Sequence, residues 1–332
     1  MKYLSYILLC SVLFFSCEKK ELPVAKRQVI VRPGGISQPG ELIEIQVEME
    51  SDYKNQIWFS LNDSKVISSN FKTDWDLTFE CSANGYHVML NGSKSMKCYK
   101  TNYSNLSEVS DTSGIGSLGK ADMPSGNLDS TALGNWVADN KVYVINRGYN
   151  EKGLLMGYYK FKLLSVTATE FTFEYAEIKS GKVVQGTVTK DNAYSFIAYS
   201  FTTDQQIKVE PKKDAYDLCF TQYTHIFVDP FQYYLVTGAL SNSYKTRIIR
   251  LTDKSFSDIT IADTLGRTFS TRRDRIGYDW KDFNLNTNIY TVNPKICYII
   301  SDSKNFFYKL HFIDFVNNTG TKGYPKFQFQ KL

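Results

Sequence analysis

The clearest hydrophobic pattern in the chain runs from Glu41 to Glu50, where apolar and polar residues alternate strictly. Successive side chains of a β-strand point to opposite faces, so this alternation predicts a strand with one buried face. The expected buried residues are Ile43, Ile45, Val47 and Met49, and the expected solvent-facing residues are Glu44, Gln46, Glu48 and Glu50.

The C-terminal segment contains three further runs of strand length. These runs, 295–300, 306–315 and 325–329, are rich in β-branched and aromatic residues, which favour strands. Clusters of Asn, Ser, Thr and Gly separate them, and such clusters are typical of chain reversals. The segment therefore predicts an antiparallel arrangement with one apolar face.

The strand pattern occurs twice along the chain. Tyr199-Ser200-Phe201 repeats Phe59-Ser60-Leu61, and Asp217-Leu218-Cys219-Phe220 repeats Asp76-Leu77-Thr78-Phe79 at almost the same offset along the chain. Two repeats are too few for a solenoid, so each unit is expected to close its own core. The sequence thus predicts two tandem units, 41–180 and 181–332, joined at a turn.

Composition agrees with an all-β protein. Of the 332 residues 42% are hydrophobic and 15% aromatic, and this abundance of Tyr and Phe favours sheet over helix. A chain of this length is sufficient for two hydrophobic cores. The formal net charge is only +5, without a dense Lys/Arg stripe, so no nucleic-acid partner is expected.

The N-terminus predicts export. An apolar run from Leu4 to Phe15 follows Lys2 and ends at Ser16-Cys17; it is too short to span a membrane as a helix. The junction resembles a lipoprotein processing site, so residues 1–17 are expected to be a signal peptide, with Cys17 the lipidated residue. Residues 18–40 are charged and rich in Pro and Gly, which predicts a flexible tether.

Several of these segments resemble the HmuY family of lipoproteins. They are the Asp74-Trp75-Asp76-Leu77 strand, the Tyr308-Lys309-Leu310 strand and the Phe327-Gln328-Phe329 strand, which occur in the family's order. The resemblance implies two tandem HmuY-like β-sheet domains built of antiparallel hairpins. It also implies a non-enzymatic, lipid-anchored protein of the outer membrane, exposed at the cell surface, that captures haem or another porphyrin for uptake through a TonB-dependent receptor.

The family's haem ligands are not carried over to this chain. In the family, His or Met side chains from the middle of the domain ligate the iron, but Asn284 stands where such a ligand is expected, shortly after Trp280. The three histidines, His87, His225 and His311, all lie outside the middle regions. A surface adhesin or glycan-binding lipoprotein with the HmuY fold and no haem site is therefore the alternative function.

Other residues are candidates to replace the missing ligands. Met123 offers a thioether, which can ligate haem iron. Tyr278 offers a phenolate if neighbouring cations lower its pKa, and the same cations could pair with the haem propionates. These cations are Arg272, Arg273 and Arg275.

No enzymatic or metal-binding motif is recognisable in the sequence. There is no phosphate-binding Gly loop, no G-x-S-x-G and no H-E-x-x-H, so no catalytic residue is assigned. Outside the leader the cysteines are Cys81, Cys98, Cys219 and Cys297, without C-x-x-C spacing, which gives no indication of a zinc site. They are expected to be buried thiols, with a Cys81–Cys98 disulfide as the open alternative.

Overall fold

The computed structural model describes residues 35–332, whose regular secondary structure is almost entirely antiparallel β-sheet. The predicted signal peptide with Cys17, and most of the predicted tether, lie outside the described residues. The strands are β1 Leu42–Gln46, β2 Asn55–Ser60, β3 Lys65–Phe71, β4 Leu77–Glu80, β5 Val88–Leu90, β6 Lys97–Lys100, β7 Tyr143–Asn146, β8 Tyr158–Val166, β9 Glu170–Glu177, β10 Val184–Thr189, β11 Phe196–Ser200, β12 Gln205–Ile207, β13 Leu218–Val228, β14 Phe231–Ser241, β15 Arg247–Leu251, β16 Lys281–Asn284, β17 Ile289–Val292, β18 Cys297–Ser301, β19 Phe307–Val316 and β20 Lys322–Lys331.

Helical structure is confined to short segments between the strands. Asn side chains cap three of them: Asn91 Oδ1 accepts from the Ser93 N–H (3.0 Å), Asn127 Oδ1 from the Asp129 N–H (3.1 Å) and Asn135 Oδ1 from the Ala138 N–H (3.3 Å). Within residues 35–332, no helix has the length and apolar character needed to cross a membrane. The helices are α1 Trp136–Asp139 and the 3₁₀ turns Gly92–Lys94, Leu106–Glu108, Leu128–Ser130, Phe256–Asp258, Ile261–Thr264 and Arg273–Arg275.

The strands form two lobes, each with a hydrophobic core between a five-stranded and a four-stranded sheet. The first lobe combines β1-β20-β19-β18-β15 with β3-β2-β13-β14, and the second combines β10-β9-β8-β7-β6 with β12-β11-β4-β5. Fully buried aromatic side chains fill both cores, such as Phe59 and Trp280 in the first lobe and Phe79 and Phe173 in the second. The alternation predicted for β1 is confirmed, because Ile43 and the other expected core residues are buried.

The lobes do not follow the predicted boundary between units 41–180 and 181–332. Strand β1 pairs with β20, where Ile43 lies opposite Phe329, and β10 pairs with β9 across the predicted junction. The first lobe therefore consists of residues 42–71 and 218–331, and the second of residues 77–207. The reason is that the apolar face of β1 completes the core made by the C-terminal strands, so each core needs strands from both predicted units.

Strand pairing nevertheless follows the sequence repeat. Phe59 of β2 lies opposite Leu218 of β13, and Tyr199 of β11 lies opposite Leu77 of β4. In the repeat Tyr199 corresponds to Phe59 and Leu218 corresponds to Leu77, so the two pairs are equivalent. Each four-stranded sheet thus takes two strands from each repeat, β2 and β3 with β13 and β14 in the first lobe and β4 and β5 with β11 and β12 in the second.

The predicted tether ends earlier than residue 40. The Ser37 N–H donates to the Asn62 carbonyl (2.8 Å), and the Gly40 N–H donates to the Lys331 carbonyl (2.9 Å). Ser37 is buried. The composition of residues 18–40 did not predict this, because these hydrogen bonds use backbone groups and depend on strands distant in sequence.

Candidate functional site

A cavity lies where the two lobes meet. A small apolar cluster that includes Trp58 and Cys219 of the first lobe and Ala198 of the second joins the two four-stranded sheets. The cavity beside this cluster has a volume of about 120 Å³. A cavity of about 150 Å³ can hold benzene, so this one has room for a small molecule.

Met123 lies at this cavity. Its segment is held in place by Asp122, whose carboxylate oxygens accept hydrogen bonds from the backbone N–H groups of Leu90 and Ala132, both at 2.6 Å. The Met123 side chain is 37% exposed, so the cavity reaches the protein surface beside it. Two further methionines, Met89 and Met96, also line the cavity, so the sequence candidate is one of three thioethers there.

Arg273 reaches the same cavity from the first lobe. Its backbone N–H donates to the Ser125 carbonyl (2.9 Å), and its Nε donates to the Ser241 carbonyl (3.1 Å). Its aliphatic stem packs on Gly126, where an added Cβ would lie 2.5 Å from Arg273 Cδ. The structure therefore brings Met123 and Arg273 together, although they are far apart in sequence.

A buried acid completes the polar part of the cavity lining. Glu210 is buried, and the Tyr216 hydroxyl donates a hydrogen bond to its carboxylate. Burial raises the pKa of Glu210, while the positive charge of Arg273 acts in the opposite direction. Glu210 was not evident from the sequence, because its neighbours Pro211, Lys212 and Lys213 are typical of a solvated loop.

The other two arginines are placed differently. Arg272 is exposed and makes a two-pronged ion pair with Asp274, at 3.0 and 2.7 Å. Arg275 is also exposed, and neither side chain lines the cavity. The run 272–275 therefore does not act as one cationic site.

Tyr278 lies on another face of the first lobe, and the prediction of a lowered phenol pKa is wrong. Burial and the nearby carboxylate of Asp279 raise the pKa of Tyr278. The expected cationic influence is weak because the neighbouring guanidinium groups are already paired, Arg272 with Asp274 and Arg250 with Asp279. Tyr278 is therefore a neutral phenol at physiological pH.

Two glycines bring the segment that carries Tyr278 against β14. The backbone groups of Gly277 and Ala239 exchange hydrogen bonds of 3.0 and 3.1 Å. A Cβ on Gly238 would lie 2.1 Å from the Gly277 carbonyl oxygen, so the close approach requires glycine there. As a result, Tyr278 packs beside β13, with its ring centroid 5.0 Å from that of His225.

His225 was not among the replacement ligands named from the sequence. It is half-buried, its Nδ1 is enclosed without a hydrogen-bond partner in the described structure, and burial lowers its pKa. The imidazole is consequently neutral near pH 7. Its ring also contacts Phe227 at 4.8 Å between centroids, so His225, Tyr278 and Phe227 form an aromatic face.

The remaining histidines and Asn284 serve local structure. His87 Nδ1 lies 2.6 Å from a Glu80 carboxylate oxygen, and His311 Nε2 lies 3.0 Å from Gln328 Oε1. Asn284 accepts hydrogen bonds from the backbone of the β16–β17 turn. Asn284 therefore stabilises a hairpin, and it does not line the cavity.

The four cysteines among residues 35–332 are buried free thiols, so there is no Cys81–Cys98 disulfide. Cys219 lines the cavity, and burial raises its pKa far above the ordinary value, which keeps the thiol protonated. In the described part of the chain, no group of three or more His, Cys, Asp or Glu side chains is arranged to hold a metal ion.

Comparison with known proteins gives a family and several solved structures. Apo PinO from Porphyromonas gingivitis has 9% sequence identity and a TM-score of 0.36, and the match covers 88% of this chain and 97% of PinO. The apo HmuY analogue TFO from Tannerella forsythia has 9% identity and a TM-score of 0.25, with 88% of this chain and 97% of that chain covered. No curated protein matches the chain.

The family assignment rests on the family model. The model described as HmuY protein matches residues 52–329, which include strands of both lobes. This range also contains the segments whose order resembled the family in the sequence. The chain therefore belongs to the HmuY family.

Proposed function

We propose that this protein is a non-enzymatic lipoprotein that captures haem or another porphyrin at the cell surface. Membership of the HmuY family supports a haem-binding type of function. The observation that carries the proposal for this chain is the neutral, half-buried imidazole of His225 beside the phenol of Tyr278. Imidazole and phenolic oxygen are both known protein ligands of haem iron.

The aromatic face suits a porphyrin better than the cavity does. A porphyrin is several times larger than benzene, the size of ligand that a cavity of about 150 Å³ takes, and this cavity has only about 120 Å³. By contrast, Phe227 and Tyr234 are 37% and 53% exposed beside His225, and flat aromatic rings stack well on a porphyrin. The porphyrin would therefore lie across the surface of the β13–β14 hairpin.

The geometry favours one protein ligand to the iron. Because Nδ1 of His225 is enclosed, Nε2 is the ring nitrogen that would coordinate the haem iron. The rings of His225 and Tyr278 are in contact, so they leave no space for an iron and a porphyrin plane between them. We assign His225 as the ligand and Tyr278 as the residue that positions its ring.

The location and the partner belong to the same proposal. Lipidation at Cys17 would hold the protein at the outer membrane, exposed to the outside, where free haem is encountered. A TonB-dependent receptor would then accept the porphyrin from it. Both parts rest on the sequence of the leader and on the family, since residues 1–34 lie outside the described structure.

Haemin titration of the chain from Glu18 onward, followed through the Soret band, tests the proposal. We expect a saturable Soret shift that His225→Ala abolishes and His311→Ala leaves unchanged, because His311 lies away from the aromatic face and is bonded to Gln328. Iron-free protoporphyrin should bind more weakly than haemin. Equal loss in both histidine variants, or no Soret shift at all, would overturn the assignment.

The ion pairs that the arginines make with aspartates favour a second function. Arg272 and Arg250 are both engaged with aspartates, which leaves these guanidinium groups less available to haem propionates. The exposed rings of Phe231 and Tyr234 would instead suit an adhesin or a glycan-binding lipoprotein. A glycan array that shows binding lost in Tyr234→Ala, together with no haemin binding, would favour this alternative.

A further inference from the structure

We infer that the cavity between the lobes is a separate binding site for a small zwitterion, an α-amino acid with an apolar side chain. The inference concerns a different place from the aromatic face, since neither His225 nor Tyr278 lines the cavity. It therefore does not depend on porphyrin binding.

The cavity presents both charges that a zwitterion needs. Glu210, which follows the last strand of the second lobe, supplies a carboxylate, and Arg273 supplies a guanidinium from the first lobe. Burial raises the pKa of Glu210, and the positive charge of Arg273 acts against that rise. Nevertheless, no salt bridge of 4 Å or less joins the two side chains among residues 35–332. Two opposite charges that line one cavity without pairing leave room for an ammonium at Glu210 and a carboxylate at Arg273.

The donors and acceptors of these groups are only partly used within the protein. Glu210 accepts a hydrogen bond from Tyr216, and Arg273 donates through Nε to Ser241. Arg273 has further N–H donors on its guanidinium, and a carboxylate has several acceptor positions. In contrast, both oxygens of Asp122 accept short bonds from the backbone, so Asp122 holds the cavity wall and is not the recognition group.

The rest of the lining is apolar and adaptable. Trp58 and Trp75 provide flat surfaces, and Met89 and Met96 provide unbranched thioethers. Methionine side chains adjust to ligands of different shape, so this wall would accept several apolar side chains. The isobutyl group of leucine is smaller than benzene, which fits into a cavity of about 150 Å³, so this group suits a cavity of about 120 Å³ that opens at the surface.

Alternative ligands fit less well. A simple anion would meet the negative charge of Glu210, and a simple cation would meet the positive charge of Arg273. A purely apolar molecule would leave both charges without a counter-charge from the ligand, which is costly. Only a ligand with both charges and a short apolar group satisfies all three parts of the lining.

The test uses three probes that share one apolar group. L-Leucine carries both charges, 4-methylpentanoate only the carboxylate, and 3-methylbutylamine only the ammonium. Calorimetric titration into the chain from Glu18 onward should show leucine binding about tenfold more tightly than either analogue, since a charge-assisted hydrogen bond contributes at least that much. Trp58 and Trp75 fluorescence provides an independent reading of occupancy.

Two variants assign the charges and a third is the control. Glu210→Gln keeps an acceptor for Tyr216 and should weaken leucine and the amine about tenfold, but not 4-methylpentanoate. Arg273→Gln should weaken leucine and 4-methylpentanoate, but not the amine. Arg272→Gln, an exposed neighbour outside the cavity, should change nothing.

The wild-type chain alone can refute the inference, so the outcome does not depend on whether a variant folds. No saturable signal with leucine, or equal affinity for the three probes, would overturn it. An equal loss in Arg272→Gln and Arg273→Gln would also overturn it, because the effect would then be a general one of surface charge.

Discussion

Asp217 occupies in the first lobe the position that Asp76 occupies in the second, but only Asp76 is paired with cations. Asp76 Oδ2 accepts a hydrogen bond from the Phe201 N–H (2.8 Å), and Asp217 Oδ2 accepts one from the Leu61 N–H (2.7 Å). Phe201 corresponds to Leu61 in the sequence repeat, as Asp217 does to Asp76, so the contacts are equivalent. Each aspartate therefore holds the turn that follows a strand of the other repeat, Asp76 the turn after β11 and Asp217 the turn after β2.

The charges around the two acids differ. Asp76 is fully buried and is bonded to Lys94 Nζ (2.5 Å) and to two nitrogens of Arg147 (3.0 Å each). Burial opposes its charge, but the two cations hold the pKa of Asp76 below its ordinary value. No cation lies within 4 Å of Asp217 in the described structure, and burial together with the negative charge of Asp302 raises its pKa to about 7.

Asp76→Asn should destabilise the protein by about 3–5 kcal/mol at pH 7, because it leaves buried cations without a counter-charge. A carboxylate with a lowered pKa stabilises above its ordinary pKa, and this contribution disappears as the pH falls through the folded-state value. The difference between wild type and variant should therefore shrink in acid. Urea unfolding at pH 7 and pH 3.5 measures it, and a difference below about 1 kcal/mol at pH 7 would contradict the assigned role.

For Asp217→Asn, the stability difference from wild type should depend on pH in the opposite direction. A carboxyl group with a raised pKa stabilises below its ordinary value near 4, and this contribution is lost as the pH rises through about 7. The variant, whose amide oxygen can still accept from Leu61, should therefore gain in Tm relative to wild type from pH 4 to pH 8.

Asp214→Asn is the matched control for that series, since Asp214 is exposed and close to Asp217 in sequence. Replacement of this exposed side chain should change Tm only slightly. Asp122 also has a pKa raised to about 7, so the Asp217 variant should keep part of the wild-type pH dependence. If Asp217→Asn loses as much stability at pH 8 as at pH 4, the hydrogen bond from Leu61, and not the charge of Asp217, determines the contribution of this residue to stability.

The sequence predicted the strands better than their partners. Alternation at Ile43 and Ile45 shows that one face is buried, but any sheet with a complementary face would satisfy it, so pairing with Phe329 was not evident. The same limit applies to the sites. Glu210 is distant in sequence from Arg273, as His225 is from Tyr278, so neither pairing leaves a local pattern.

Because each lobe takes strands from both repeats, the fragments expected to fold differ from the units predicted from the sequence. Residues 74–210 contain all strands of the second lobe and also Asp76, and they should unfold cooperatively in urea. Residues 41–180, almost equal in length, lack β11, whose Ile197 and Tyr199 belong to that core, and should show no cooperative transition. Near-UV circular dichroism distinguishes the two. A cooperative 41–180 fragment beside an unfolded 74–210 fragment would support independent tandem units instead.

Lipidation at Cys17 can be tested in cells. Stable anchoring needs more than one acyl chain, so removal of the modified residue should release the protein from the membrane. Cys17→Ala should shift the protein out of the outer-membrane fraction and abolish labelling with palmitate. Ser16→Ala, which keeps a small residue before the cysteine, is the control and should still be labelled. Palmitate incorporation in Cys17→Ala would locate the modification elsewhere.

The identity of the iron ligand can be decided by a pair of variants. The raised pKa of Tyr278 keeps its phenol protonated, and a protonated phenol is a poor ligand compared with the neutral imidazole of His225.

Tyr278→Phe, which preserves the ring contact, should therefore keep the haemin Soret shift and reduce affinity only a few-fold, whereas His225→Ala should remove the shift. Arg273→Gln should leave haemin affinity unchanged, because that guanidinium lines the separate cavity. If Tyr278→Phe abolishes the shift and His225→Ala keeps it, the ligand is a tyrosinate. In that case haemin must lower the pKa of Tyr278, although burial and the carboxylate of Asp279 raise it. Binding should then strengthen with rising pH.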